Sequence, residues 1–439
     1  MRDLTSGDIA AALVDARCGL ITSIDHVPPL PGGPMIQTYR GALAAPYAQT
    51  EDGLQREKMD KVVVSGCSRD DAAARWALIG EGLERYAAYR FPAERSVCAS
   101  FNNLGDSALD PRDWISFADA PYGKASQYVR FDPDAAIRWT EARRYGGGPP
   151  RLIASVLAWL RLGGTERAEE FIQRASTGLG AGTSLAQAQR SGLLEVIERD
   201  AFSSRWLLGA SPSRIAAQSD INQFYGDATA ASGILVDLFD IAVDDLAHVV
   251  LARLCVEGTE FTGGAFGFAL GASAHPDKAT AARKAIEEGY HILQGMLHWR
   301  RQGNATVAAE DLSDFLDHGH YYSQPGPAAD AAWFFADRSE DVGVDITAPS
   351  TAAPDYEQDV ARLIYGLAAQ GRPAYFVDIT PPDVRSLGFH VVKSLVPMSQ
   401  PLTCGARVIA DDRRRIAQVA THLGLPRDTP INRQVQPFA

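Results

Sequence analysis

STGLGAGTSLAQAQRSGLLEVIERDAF, residues 176–202, decides how this chain is read. Glycines at 178, 180 and 182 suit a tight turn. From about Ser184 to Leu208 the composition changes to Leu, Ala, Gln, Glu and Arg, which predicts a long helix opened by a serine cap. Glu195 and Glu198 stand three apart inside it and share one helical face. Their neighbours Leu193, Leu194, Val196, Ile197, Ala201 and Phe202 make the helix apolar nearly all round, which predicts burial. Two buried carboxylates side by side are strongly unfavourable as bare anions, so they hold a proton or meet cations.

The same E-x-x-E-R pattern occurs a second time, in EGLERY at 81–86, within a helix expected from Ser68 to Phe91. A single copy reads as ordinary surface glutamates paired with the following Arg85 or Arg199. Two copies, one in an apolar helix, favour a site. Four carboxylates from two helices form an oxygen-only donor set that suits Mg²⁺, the hard cation that accompanies nucleotide phosphates. Gly80 and Gly82 bracket Glu81, each at a cost of roughly 1 kcal/mol in a helix interior, which implies close backbone approach by a neighbour or a ligand. The Gly-rich turn runs straight into a helix N-terminus, where backbone N–H groups receive phosphate. It is neither a P-loop nor a dinucleotide fingerprint. A third helix, about Asp277 to Gln302, carries Arg283 and Glu287 four apart, either as a surface pair or as a phosphate-binding arginine beside another metal ligand.

Outward from these helices the chain is mixed α/β. Strand-like runs at 233–241, 248–256, 374–380 and 389–397 alternate with the long helices. Residues 1–66 read as a strand-rich opening, 67–302 as the core, 303–355 as an irregular excursion or lid, and 356–439 as a closing part. The 439 residues are 46% apolar and 22% charged, an ordinary globular composition. A net charge of −12 argues against a nucleic-acid surface. The five cysteines never form C-x-x-C, which argues against thiolate zinc and fits a reducing compartment. No signal peptide or span of membrane length is visible, so the chain reads as cytoplasmic. HExxH, G-x-S-x-G and Walker A runs are absent. His318 and His320 read as exposed polar residues, His291 and His298 as structural ones. Cys67 stands where a helix dipole would activate a thiol.

The motifs together resemble the YcaO family, ATP-dependent enzymes that modify peptide backbone amides. WALIGEGLERYAAY is similar to the family's first helix signature and residues 176–202 to its central one. Arg283 and Glu287 resemble its Arg-x-x-x-Glu helix. VDITPPDVRSLGFHVVKSLVP resembles its C-terminal strand pair, and ALVDARCGLITSI (12–24) its opening. The resemblance implies a single large α/β domain with mixed sheets and long helices around a nucleotide cleft. It implies ATP and Mg²⁺ as cofactors, with Glu81, Glu84, Glu195, Glu198 and Glu287 as metal ligands. Arg199, Arg283, Thr183, Ser184 and Gln187 would face the phosphates.

The implied reaction is cyclodehydration of Cys, Ser or Thr to thiazoline or oxazoline in a ribosomally made precursor peptide. Thioamide or amidine formation, or a degenerate scaffold subunit, are the alternatives. The implied partners are the precursor peptide, a separate E1-like protein that binds its leader, a flavin-dependent azoline dehydrogenase and a second copy of the chain, with no nucleic acid or membrane. The sequence departs from the family at Gln187, where an acid is common, at Thr177 and Thr183, where Asn is frequent, and in QVQPFA, which keeps one Pro-Phe step.

Overall fold

The computed structural model describes residues 12–30, 32–44, 48–50, 53–55, 62–114, 128–164, 166–226, 233–257, 264–303, 306–336, 339–348, 354–405, 408–410 and 412–438. The chain forms a single mixed α/β domain in which three long helices pack where three sheets end. The first sheet is antiparallel, in the order β1 (Ile21–Val27), β2 (Gln37–Leu43), β5 (Val63–Ser68), with the small hairpin β3 (Ala48–Thr50) and β4 (Gly53–Gln55) between the last two in sequence. The strands β6 (Val97–Ala99), β7 (Ile137–Ala142) and β8 (Arg151–Ala154) form a second sheet. The third has the order β15 (Tyr375–Asp378), β16 (His390–Leu395), β9 (Leu179–Gly182). The largest runs β13 (Ala269–His275), β12 (His248–Val256), β11 (Ile234–Asp240), β10 (Ser213–Ala217), β14 (Glu340–Val344). It is antiparallel except at β10–β14.

Helix α1 (Asp71–Ala88) lies on β5, α2 (Leu185–Leu208) on β9, β16 and β13, and α3 (Lys278–Arg301) on β13 and β12. Each begins at a side-chain cap that accepts an otherwise orphaned amide. Asp70 accepts from Ala73 N, Ser184 from Gln187 N and Asp277 from Thr280 N. Helix α2 is buried along nearly its whole length, as its apolar surround predicts. It sits close to β9 because Gly180 has no side chain: a Cβ there would run into the carbonyl of Ala188. Gly271 and Gly289 meet in the same way where α3 crosses β13. Of the two glycines flanking Glu81, Gly82 has a close neighbour within the protein, Ile21, whereas Gly80 has open space around it.

The segment expected to be irregular, 303–355, is largely folded in its described part; residues 304–305, 337–338 and 349–353 lie outside the described residues. It carries α4 (Phe315–Tyr322) and strand β14, and buries Tyr322, Phe334 and Phe335. Asp314 and Asp317 form a reciprocal cap that starts α4. His318 and His320 are buried rather than exposed. His318 is covered by the C-terminal segment, with its Nδ1 paired to Gln436 O at 2.7 Å and its Nε2 accepting from Gly405 N, while His320 stacks on Trp299 of α3. Helix α5 (Tyr356–Ala369), the short α6 (Pro382–Ser386) and α7 (Arg413–His422) complete the chain. Among the described residues no helix is long and apolar enough to cross a membrane.

Candidate active site

Strands β5, β9 and β13 are each the edge of their sheet. An edge strand presents amides without a strand partner, and here glutamates from the long helices accept them. Ser65 N on β5 donates to Glu81 Oε2 at 2.7 Å. Ala181 N on β9 donates to Glu84 Oε1 at 2.9 Å, and Gly178 N just before it to Glu195 Oε2 at 2.9 Å. On β13, Ala274 N donates to Glu198 Oε2 at 3.2 Å and Ala272 N to Glu288 Oε2 at 2.7 Å. Each of these five carboxylates has one oxygen held by a backbone amide and keeps the other for a different partner.

Arg199 supplies part of that partnership. Its guanidinium lies 3.3 Å from Glu198 Oε1 and 3.9 Å from both Glu195 Oε1 and Glu288 Oε1. Glu81 Oε1 lies 3.3 Å from Arg85. The balance of charge remains unfavourable. Desolvation, with Glu195 and Glu81 nearby, raises the Glu84 carboxyl to about 8. Glu198 and Glu288 are also pushed upward, first by burial. Carboxyls held above their ordinary range by burial, and further by one another, are groups whose ionised form a bound cation would favour. Among the described residues no three His, Cys, Asp or Glu side chains form a ready-made metal cage. The donor set nonetheless fits Mg²⁺, which keeps several waters and is held by a few carboxylates together with substrate phosphates.

The sequence-predicted residues Glu81, Glu84, Glu195, Glu198 and Arg199 are therefore brought together. Glu287 is placed differently. It accepts from Arg69 N at 3.1 Å, just past the end of β5, burial raises its carboxyl, and the cations it faces are Lys284 and Arg283. Arg283 also points elsewhere, donating to Ile346 O and Ala348 O at 2.8 Å and to Thr280 Oγ1. Their neighbours Lys284 and Glu288 face the cluster. Lys284 is exposed, yet desolvation lowers its ammonium and it senses Arg190, Glu287 and Glu198, as a side chain standing in a concave cleft would. RKAIEEG contains two basic-x-x-x-Glu pairs one residue apart. Glu288 adjoins Gly289, the contact point with β13, and that adjacency is the signal that would have selected it.

Ser184 and Gln187 cap α2. Ser184 Oγ accepts from Gln187 N, while Gln187 Oε1 accepts from Thr183 N at 2.9 Å and from Thr183 Oγ1 at 3.1 Å. Sequence reasoning also missed Arg190, which donates to Asp359 Oδ2 at 2.6 Å and to His275 Nε2 at 3.0 Å. Burial and the nearby cations lower His275 to about 4, so the imidazole is neutral. Cys67 is not activated: burial and the carboxylates around it raise its thiol, against the effect expected from the helix dipole. The chain's last described residues also reach the site, where the Phe438 ring lies under Arg199.

A family model described as YcaO cyclodehydratase, ATP- and Mg²⁺-binding, matches residues 65–399. No curated protein sequence matches the chain. Among solved structures, a heterocyclase in complex with substrate and cofactor shares 21% identity and superposes with a TM-score of 0.75 over 97% of this chain, which spans 56% of that protein's length. YcaO from Methanopyrus kandleri, bound with AMPPCP and Mg²⁺, shares 17% identity with a TM-score of 0.57, covering 87% of this chain and 86% of that one. The E. coli microcin synthetase McbBCD complex gives 14% and 0.60, covering 87% and 89%. At such identities the likeness is one of fold.

Proposed function

Because the chain belongs to the YcaO family of ATP- and Mg²⁺-binding proteins, we propose that it activates backbone amides of a precursor peptide at the expense of ATP and closes Cys, Ser or Thr residues into azoline rings. The observation that carries this reading is the ring of amide-held carboxylates on the E-x-x-E helices, with Arg199 and Lys284 beside it. In this reading Glu81, Glu84, Glu195, Glu198 and Glu288 hold Mg²⁺ through the oxygens not tied to backbone. Arg199 and Lys284 meet phosphate oxygens, with Thr183, Ser184 and Gln187 at the start of α2. Glu287, buried, ties α3 to Arg69 N, and Arg283 ties it to Ile346 O and Ala348 O.

Mg²⁺-ATP supplies a phosphoryl group that turns the amide oxygen, otherwise a poor leaving group, into phosphate. The chain's own contribution is positioning and charge. Backbone amides fix five carboxylates before any ligand arrives, so little rearrangement opposes binding. Arg199, held between three glutamates and the Phe438 ring, carries a positive charge at the wall of the cleft. When the substrate side chain attacks its own preceding carbonyl, negative charge grows on the amide oxygen, and such fixed cations stabilise it.

The substrate would be presented by a separate leader-binding protein. A flavin-dependent dehydrogenase acting on the azolines and a second copy of this chain are the further partners of this reading. The decisive experiment incubates the chain with ATP, Mg²⁺, a cognate peptide and that partner. Phosphate release with loss of one water per ring supports the proposal, and absence of phosphate release overturns it. A gain of sulfur or of an amine in the peptide mass would reassign the product as thioamide or amidine. One observation favours a non-catalytic scaffold instead: Gln187 is spent on Thr183 and brings no carboxylate to the cleft. Calorimetry with ATP and Mg²⁺ separates the two readings, since a scaffold would bind neither.

A further inference from the structure

Lys393 lies in β16 with 4% of its surface exposed, opposite Leu179 of β9. A buried lysine is rare unless it has a partner. Its Nζ donates to the carbonyl of Ala175 at 2.6 Å, and its charge faces Glu195 of α2 and Arg85 of α1. Burial lowers the ammonium to about 8. The next residue holds the same turn further along: Ser394 N donates to Gly178 O at 2.7 Å. Gly178 N in turn is the amide that holds Glu195 Oε2. The turn at 175–178 is thus tied to β16 at both ends, and its last amide fixes a carboxylate of the cleft. The turn lies close against α2, since a Cβ on Gly192 would strike Gly178 O and Ser394 Oγ.

We propose that Lys393 is a positioning residue of the nucleotide site, a tether from β16 to Ala175 that keeps Gly178 N on Glu195 Oε2 and so leaves Glu195 Oε1 turned to the metal. The inference rests on the assignment of Glu195 as a Mg²⁺ ligand. Groups that orient a metal ligand typically change affinity by about 10–100-fold when removed. Coulomb attraction alone gives the opposite sign, since deleting a cation beside a carboxylate strengthens the pull on Mg²⁺. The direction of the change therefore separates a tether from a mere neighbouring charge.

The test is calorimetric titration of Mg²⁺ into the nucleotide-saturated protein, alongside the Mg²⁺ dependence of phosphate release. Lys393→Met, which keeps the unbranched apolar stem and loses the donor, is expected to weaken Mg²⁺ binding by about tenfold, with kcat at saturating Mg²⁺ little changed. Lys393→Arg, which keeps a donor, is expected to restore binding. Should Lys393→Met fail to fold, Lys393→Leu, equally without a donor, takes its place with the same expectation. Unchanged or tighter Mg²⁺ binding in the folded donorless variant overturns the tether while leaving the proposed function intact. Failure of the wild-type protein to bind Mg²⁺ overturns both.

Discussion

The guanidinium carbon of Arg199 lies 4.3 Å from the centroid of the Phe438 ring, and Phe438 itself packs on Phe202 one turn along the same helix. The C-terminal segment is led there by ordered bonds: Trp206 Nε1 donates to Gln434 O, Tyr322 to Val435 O, and Gln436 Oε1 accepts from Phe438 N. A ring face under a partly desolvated guanidinium is worth about 0.5–2 kcal/mol. Phe438→Ala is therefore expected to lower kcat for ATP turnover by about tenfold, with a smaller change in KM. Phe438→Leu, which fills the space without a ring face, should fall between the two. Steady-state phosphate release measures both.

Lys284 and Arg283 are neighbours with opposite predicted consequences. Lys284→Ala removes an ammonium from the cleft and should raise the KM for ATP by about tenfold, the worth of one charge-assisted bond to phosphate, with an unchanged melting temperature. Arg283→Ala orphans the carbonyls of Ile346 and Ala348, so it should lower the melting temperature and leave KM near the wild-type value. Thermal melts and ATP titrations on the two variants check the assignment. A KM effect confined to Arg283→Ala would reverse it.

The difference between these two residues shows where the sequence was legible. The α2 helix, its burial and the shared faces of Glu195/Glu198 and Glu81/Glu84 follow from spacing alone, because helical periodicity and apolar flanks are local properties. The choice between Glu287 and Glu288 is not local. It depends on which side of α3 meets β13, and that is set by Gly271, on a strand that precedes the helix. The amides that hold the carboxylates come from edges of three sheets and lie up to 97 residues from their partners. His318 was misread for a related reason, since Gln436, which covers it, is more than one hundred residues away at the C-terminus, and the ring that covers His320, Trp299, lies on a different helix.

Glu84 gives the nucleotide-free protein an unusual pH dependence. Its carboxyl is raised from 4.5 to about 8 in the fold, so between those values the native state binds a proton that the unfolded chain has released. Stability then falls as pH rises through that window. Glu198 and Glu288, shifted in the same direction, add to the fall. The melting temperature of the metal-free protein should drop between about pH 6 and pH 8. Mg²⁺ with nucleotide should flatten the curve by stabilising the ionised carboxylates, and Glu84→Gln should flatten it without metal. Calorimetric scans at several pH values, with and without Mg²⁺, provide the check. A rise in melting temperature over this range would show that Glu84 is already ionised.

Asp200 follows Arg199 in sequence but faces the other way, into a buried network that joins α2 to the C-terminal third of the chain. Its Oδ2 accepts from Arg415 Nη2 at 2.6 Å and from Arg372 Nη2 at 3.0 Å, and its Oδ1 accepts from Gln400 N at 2.7 Å. Arg372 is fully buried and Arg415 3% exposed, and Asp244 shares both of them. Asp200→Asn leaves two buried guanidiniums with a single carboxylate between them, and breaking a buried pair in this way costs about 3–5 kcal/mol. The two arginines hold the Asp200 carboxyl below its ordinary value. The stabilisation it brings is therefore present above pH ~4 and is lost as pH falls through the lowered native value, so the variant should also show a flatter acid limb. Because the carboxylate touches none of the cleft glutamates, the folded variant should keep the wild-type KM for ATP. Urea midpoints at neutral and acidic pH, read with that KM, distinguish this structural role from one in the reaction. A raised KM with an unchanged midpoint would place Asp200 in the site.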